Sequence, residues 1–117
     1  MTGRGGPLRV DVQLADSVLD AAERARALEA VGVDGAFTFE NSHDPFLPVA
    51  AAAPVCSLDL YTNVAIAFPR SPMHLAHTAW DLQHLSEGRF RLGLGSQVRA
   101  HVENRYGSTW GRPVDQM

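Results

Sequence analysis

The fold is decided by residues 70–96, RSPMHLAHTAWDLQHLSEGRFRLGLGS, which predict a helix, a reversal and a strand. Ser71 can cap the amino terminus of the helix, and Pro72 suits the first helical position because that N–H is unpaired anyway. Gly88 supplies the left-handed residue at which the chain turns back. An apolar stripe with helical spacing predicts the buried side of the helix: Leu75, Ala79 and Leu82.

The strand after this helix is marked by a strict alternation of side chains. Phe90, Leu92 and Leu94 alternate with arginine and glycine, which is the period-two pattern of β-structure. A helix that leads into such a strand forms half of a βαβ crossover. Gly95 and Ser96 would then lie at the carboxyl end of the strand, where α/β folds bind their ligands.

The rest of the chain repeats this alternation of strands and helices. Strands are predicted over residues 9–14, 35–40 and 58–67, and helices between Ser17 and Gly32 and over residues 45–53. Pro54 should kink or end the second helix because it lacks an N–H donor. The continuous βαβαβαβ order, without a linker, predicts an α/β fold with a parallel sheet and right-handed crossovers.

The composition indicates one small soluble domain. The 117 residues carry a formal net charge of −3, and 45% of them are hydrophobic. All the positive charge is arginine, so Schiff-base chemistry and a phosphate loop of the Gly-Lys-Ser type are excluded. Cys56 is the single cysteine, which excludes a disulfide or a cysteine-rich zinc site within one chain. Its apolar neighbours favour an inert thiol.

The same features bound the partners and the location of the protein. The mild acidity gives no reason to expect a nucleic acid or a membrane as a partner. The first residues lack an apolar signal core, and no segment is long enough to span a bilayer, which predicts a cytoplasmic protein. The two open edges of a four-stranded sheet predict a homo-oligomer.

Five short motifs occur in an order that points to a family. They are HDPF at residues 43–46, PRSP at 69–72, LSEGRF at 85–90, GLGS at 93–96 and RYG at 105–107. Together they resemble the amino-terminal part of the luciferase-like monooxygenase superfamily. Within it, the chain is most similar to the oxidoreductases that depend on the deazaflavin coenzyme F420. The similarity extends from about Val10 to Met117.

The resemblance implies a (β/α)₈ TIM barrel, of which this chain would supply about four parallel strands with three crossover helices. A closed barrel needs roughly 200–250 residues or more. Residues 1–117 therefore read as the amino-terminal half of such a domain, apparently truncated. In the family, the phosphate-binding loops come from the last strands of the barrel, so we expect the 117-residue chain alone to be inactive.

The resemblance also implies where the site lies, because the cofactor ring of the family crosses the carboxyl ends of the strands. The exit of the second strand, from Glu40 to His43, would face the ring. Relatives carry a bulge with a non-prolyl cis peptide at the exit of the third strand, which predicts a cis bond between Asn63 and Val64. The implied cofactor-binding residues are Asn63, Val64, Gly95, Ser96 and Gln97. Small residues at 95 and 96 would let the backbone approach a flat ligand.

The implied chemistry is hydride transfer between a small organic substrate and coenzyme F420. His43 is the candidate proton donor or acceptor because the charge of an imidazole changes near neutral pH. Glu40 is a second catalytic candidate, and its alternative is a structural pair with a neighbouring arginine. Arg70 could contact an anion, but ordinary salt bridging is favoured. Asn63 and Ser96 would hold heteroatoms of the ring or the substrate.

Two other functions stay open at this stage. The first is an FMN-dependent enzyme of the same superfamily that activates oxygen. The second is a non-catalytic, truncated half-barrel that associates with itself. No metal site is predicted, because His74, His77 and His84 on the third helix would need a further ligand. Trp80, on the same helix, is predicted to pack in the interior.

Overall fold

A computed structural model describes residues 8–15 and 17–96 of the chain. The helices are α1 (Val18–Ala30), α2 (Phe46–Ala52) and α3 (Pro72–Leu85), and a 3₁₀ turn follows α2 at Ala53–Val55. The strands are β1 (Asp11–Gln13), β2 (Gly35–Thr38), β3 (Asp59–Thr62), β4 (Ala65–Ile66), β5 (Phe90–Arg91) and β6 (Leu94–Gly95). Gln97 and the motif at residues 105–107 lie outside the described residues.

The sheet is parallel throughout. Its main part has the order β1-β2-β3-β5, and β4 pairs with β6 beside it, also in parallel. The register places Gly35 of β2 beside Asp11 on one side and Asp59 on the other. The predicted α/β fold with four successive parallel strands and three crossover helices is confirmed in this part of the chain.

The third and fourth predicted strands are each broken in two, which the alternation pattern did not predict. Before the break, the Leu60 N–H donates to the Arg89 carbonyl at 3.2 Å. After it, the N–H groups of Ala65 and Ala67 donate to Gly93 and Gly95, each at 2.9 Å. The residues that face the last strand therefore change from even to odd numbers, as they do across a bulge that inserts one residue.

The helices begin where local chemistry predicts. The hydroxyl of Ser17 accepts the Leu19 N–H, and the hydroxyl of Ser71 accepts the His74 N–H, each at 3.1 Å. Asp44 accepts the N–H groups of the first two α2 residues at 2.8 Å. These side chains satisfy donors that a helix leaves free in its first turn. The predicted caps are thus confirmed.

The helix ends also follow the predictions. Gly32, with φ +90°, follows the end of α1, and the 3₁₀ turn containing Pro54 ends α2. After α3, Gly88 has φ +86°, and Glu87 shares the left-handed region with φ +55°. The reversal before β5 therefore uses two left-handed residues, where the sequence predicted only the glycine.

The core is one cluster of apolar side chains that the sheet and all three helices share. Its fully buried members include Leu14, Ala21, Ala25, Ala36, Val49, Leu58 and Leu60. Leu75 and Leu82 bury the predicted stripe of α3 against this cluster. Trp80 is different, since it is 66% exposed. Its ring lies edge-on to that of His84, with the ring centroids 4.8 Å apart. The prediction that Trp80 packs in the interior is wrong here, because position 80 lies opposite the Leu75–Leu82 stripe.

The side of the sheet that faces away from the helices carries polar and aromatic side chains. The Tyr61 hydroxyl donates to Asp11 at 2.9 Å, and the Phe37 and Tyr61 ring centroids lie 5.7 Å apart. Arg9 pairs with Asp59 at 3.0 Å. Strand side chains alternate between faces, so a residue such as Leu60 enters the core while Tyr61 stays on this second face.

Arg89 forms hydrogen bonds that connect the start of β3 with the end of α3 and the 3₁₀ turn. Its guanidinium donates to the carbonyls of Leu58 and Ser86 at 2.7 Å and to that of Ala53 at 2.8 Å. These carbonyls belong to the β3 approach, the end of α3 and the 3₁₀ turn. One side chain therefore joins the end of α3 to the 3₁₀ turn and the start of β3, which lie more than 30 positions before Arg89 in the sequence.

Candidate functional site

Residues that leave the parallel strands meet at one edge of the sheet. We call residues 39–43, 63–64 and 95–96 the carboxyl edge, since the first two ranges follow β2 and β3 and the third contains the end of β6. A depression of about 250 Å³ opens there and is lined by Phe39, Glu40, Asn63, Val64 and Ile66. The structure therefore brings together three of the predicted site residues, Glu40, Asn63 and Val64.

The peptide between Asn63 and Val64 is cis, as predicted. The Asn63 N–H donates to the Thr38 carbonyl at 2.6 Å, and the Val64 carbonyl accepts the Glu40 N–H at 3.1 Å. The backbone on both sides of the cis bond is thus tied to the end of β2. The Asn63 side chain is exposed and Val64 is half-buried, so both present surface to the depression.

Gly95 supports this edge in a way that differs from its predicted role. A Cβ at Gly95 would lie 2.3 Å from the Val64 Cγ2 atom. The missing side chain therefore makes room for Val64, and the predicted close approach of the backbone to a ligand stays a prediction. Ser96 follows and is half-buried, at the end of the described residues.

Thr62 and Gly93 close the break in the sheet beneath the site. The Thr62 hydroxyl donates to the Gly93 carbonyl at 2.8 Å and accepts the Gly93 N–H at 2.9 Å. A Cβ at Gly93 would lie 2.1 Å from the Thr62 carbonyl oxygen. Sequence reasoning missed this pair. The available signal was a threonine just before the predicted cis peptide and a glycine in the neighbouring strand.

Glu40 and Arg70 form the strongest electrostatic contact at the carboxyl edge. Arg70 Nη1 lies 2.5 Å from Glu40 Oε1, and Nη2 lies 3.1 Å from Oε2. The Glu40 side chain is only 7% exposed, and the Arg70 side chain is 19% exposed. The structural pairing that the sequence left open for Glu40 is therefore present, and a catalytic role for Glu40 stays a prediction.

Arg70 has two further neighbours on the chain that leads to α2. Its guanidinium carbon lies 5.1 Å from the centre of the Phe46 ring, and Nη2 lies 3.6 Å from Asp44 Oδ1. A cation over a ring face is stabilised by the ring quadrupole. Since its nitrogens face two carboxylates, Arg70 is used in salt bridging, the alternative that the sequence favoured over an anion contact.

His43 lies in a second, smaller depression of about 190 Å³. This depression is lined by the starts of α1 and α2: Ser17, Val18, Leu19, His43, Asp44, Leu47 and Pro48. His43 is exposed and follows β2 on the same edge of the sheet as Glu40. The structure thus places His43 at the carboxyl edge but outside the depression that Asn63 lines.

The described residues include no group of three or more metal-binding side chains arranged to hold a metal ion. His74, His77 and His84 are exposed on α3, and the His84 Nδ1 atom lies 3.1 Å from the Trp80 carbonyl. Within residues 8–15 and 17–96, no helix is both long and apolar enough to cross a bilayer.

The sequence matches the model of the luciferase-like monooxygenase family over residues 3–117, and the chain belongs to this family. It is 49% identical over 111 residues to the uncharacterized protein Rv1360 of Mycobacterium tuberculosis, a match that covers 94% of this chain and 33% of the relative. It is 36% identical over 95 residues to the putative coenzyme F420-dependent oxidoreductase Rv3520c of the same species, covering 80% and 27%.

Solved structures show the same fold. One is the oxygenating constituent of the 3,6-diketocamphane monooxygenase from Pseudomonas putida, a type II Baeyer-Villiger enzyme in complex with FMN. It matches with a TM-score of 0.68 and 22% identity over 82% of this chain and 29% of its own. The monooxygenase RslO1 from Streptomyces bottropensis matches with a TM-score of 0.68 and 22% identity, covering 86% and 36%. The fold is therefore part of a luciferase-like TIM barrel.

Proposed function

We propose that this chain provides the ring-binding edge of an oxidoreductase that transfers a hydride between a small organic substrate and coenzyme F420. The observation that carries the proposal is the depression at the carboxyl edge, in which Asn63 and Val64 follow β3 beside Phe39. In parallel α/β folds, ligands bind outside the carboxyl ends of the strands.

The residues of this depression fit a flat heteroaromatic ring. Phe39 is 38% exposed and, with Val64, offers apolar surface for the face of a ring. The exposed Asn63 carboxamide carries both donors and an acceptor for heteroatoms on the rim. Ser96, at the end of the same edge, adds a hydroxyl.

The deazaflavin, when bound, supplies the carbon that accepts or donates the hydride. The chain's own residues bind, orient and shield. Val64 and Phe39 exclude water from one side of the depression, and Asn63 holds a rim heteroatom. His43, exposed beside the second depression, gives or takes the proton of the substrate.

FMN is the alternative ligand of the same surface, because its ring shares the flat shape and polar rim. The name of the 36% identical relative supports F420, whereas the solved neighbour with FMN is 22% identical. The chain spans about a third of the length of the relatives that it matches. Hydride transfer by a complete barrel is therefore a proposal that goes beyond the residues of this edge. Its rival, a non-catalytic half-barrel that associates with itself, is a proposal of the same kind.

Fluorescence titration of the chain with F420 and with FMN tests the proposal. We expect saturable binding of F420, weakened in N63A and unchanged in E23Q, a charge-neutralising control on the exposed side of α1. Tighter binding of FMN than of F420 would make FMN the cofactor of the proposal and leave the proposed binding edge unchanged. Binding of neither ring, or equal binding by N63A and the wild type, would contradict the proposal.

A further inference from the structure

Ile66 in β4 has backbone groups that no neighbouring strand can satisfy. In a parallel sheet, successive residues of a strand direct their N–H and C=O groups to opposite neighbours. The N–H groups of Ala65 and Ala67 donate toward β6. Ile66 between them therefore faces the β2 side, but β2 has already ended at Thr38.

Glu40 and Arg70 take the place of the missing strand. Glu40 Oε1 accepts the Ile66 N–H at 2.8 Å, and Arg70 Nη1 donates to the Ile66 carbonyl at 2.7 Å. The two side chains also bind each other through both carboxylate oxygens. Together they form a closed ring of hydrogen bonds around one buried residue, which is 1% exposed.

We propose that Glu40 and Arg70 are positioning residues that set the Asn63–Val64 edge for the cofactor ring. The proposal rests on the proposed function, because it assumes that a ring lies against this edge. The Glu40 N–H also donates to the Val64 carbonyl, so one residue holds β4 through its side chain and the cis peptide through its backbone. Glu40 then acts through Val64 and Ile66, not by transferring a proton.

The charge of the pair is part of its function. Hydrogen bonds between ionised partners are shorter and stronger than neutral ones. Removing one member of a nearly buried pair leaves the other charge without its partner. Gln at position 40 keeps one acceptor for Ile66 but turns an NH₂ group toward the guanidinium. E40Q should therefore have part of the effect of E40A, and R70K should lose the paired contact.

Two measurements on the same variants test the proposal. The first is amide hydrogen exchange at Ile66, and the second is ring affinity together with the circular dichroism induced in the bound cofactor. The variants are E40A, E40Q and R70K. E29A and E29Q are matched controls, because Glu29 also accepts a backbone N–H, that of Ser57, but at the opposite end of the sheet.

In E40A we expect about tenfold faster exchange at Ile66 and about tenfold weaker ring binding, the size expected when roughly one hydrogen bond is lost. The induced dichroism should change as well. E40Q and R70K should show smaller effects of the same kind, and R70K keeps the test decisive if E40A does not fold. The Glu29 controls should leave all three readouts as in the wild type.

Two outcomes overturn the proposal. Unchanged Ile66 exchange in E40A and R70K would show that the pair does not hold β4. Faster exchange with unchanged affinity and dichroism would show a purely structural pair. If the wild type binds neither ring, the proposed function fails, and Ile66 exchange alone then decides whether the pair holds this edge.

Discussion

At position 95, the absence of a side chain is explained by a residue of a different strand. Val64 occupies the space in which a Cβ of Gly95 would lie, and Gly93 is excluded from carrying a Cβ by the Thr62 backbone. The two glycines therefore have different obstacles, one a side chain and the other a carbonyl. Only the first obstacle can be removed by mutation.

We predict that G95A lowers the free energy of unfolding by about 1–3 kcal/mol, the usual cost of overpacking. The V64A substitution in the same chain should restore part of this loss, because it removes the Cγ2 atom 2.3 Å from the new Cβ. Urea denaturation of the single and double variants measures both effects. G93A serves as the control that V64A should not rescue, and equal losses for G95A with and without V64A would contradict the packing.

Tyr61 is the residue whose titration should be visible in the stability of the protein. Burial, and next the hydrogen bond to the Asp11 carboxylate, raise the pKa of Tyr61 above its ordinary value of 10.0. The same carboxylate, followed by Asp59, raises the pKa of Arg9 through hydrogen bonds. These groups share the sheet face that points away from the helices.

The raised pKa of Tyr61 predicts a loss of stability at high pH. Below pH 10.0 the folded and unfolded states both hold the phenol proton, so its contribution is fully present. As the pH rises from there through the folded pKa, only the unfolded state releases the proton, and stability falls. Thermal unfolding between pH 9 and 11 measures this. Y61F should flatten the decline, and an equal decline in Y61F and the wild type would contradict the prediction.

For single residues, the sequence predicted the features that follow from local patterns and from the family resemblance. The cis peptide at Asn63–Val64 was predicted, and the pairing of Glu40 with an arginine was one of two alternatives that the sequence left open. The Thr62–Gly93 contact was missed, because its partners are 31 positions apart and become neighbours only when the strands pair. For the same reason, the packing of Gly95 against Val64 was not predicted, while the approach of its backbone to a ring stays a prediction.

Among the helices and strands, the features with local causes were likewise predicted from the sequence, and those that depend on distant residues were not. Helix starts were predicted because Ser17, Asp44 and Ser71 act on donors two or three residues away. The alternation of side chains did not predict the breaks in the last two strands, since each depends on hydrogen bonds to another strand. Only the family resemblance implied a bulge, and only at the exit of the third strand. Arg89 belongs to the second kind. Its motif was noted in the sequence, but the three carbonyls that it binds become neighbours only after folding.

We expect R89K to destabilise the chain by about 1–3 kcal/mol, because one ammonium group cannot reproduce a fork that satisfies several buried carbonyls. The Arg89 guanidinium donates to carbonyls from three segments, as described above. The matched control is R91K, two positions further along in β5, where the side chain is exposed. Chemical denaturation gives the difference. Equal midpoints for R89K and R91K would show that the fork carries no stability.

For the whole molecule, the sheet has two outer strands within the described residues. β1 lies at one end of the order and β5 at the other, and parallel strands with unpaired edges are templates for further pairing. The sequence predicted the parallel order because strands and helices alternate at crossover spacing. A strand that pairs with the outer side of β1 or β5 would have to come from outside the described residues.

We predict that the 117-residue chain associates with itself in a concentration-dependent manner. Open strand edges and a half-covered sheet face favour pairing with a second copy. Sedimentation velocity over a hundredfold range of concentration measures the association. A single monomeric species at every concentration would exclude the homo-oligomer.

The most direct test of the proposed site is to map the bound ring on the isotope-labelled chain by NMR, titrating with F420 and then with FMN. We predict that the largest shift changes fall on the carboxyl edge, at residues 39–43, 63–66 and 95–96, for the ring that binds more tightly. Changes centred on Arg9, Asp34 and Asp59 at the opposite end of the strands, or no changes with either ring, would contradict the proposed site.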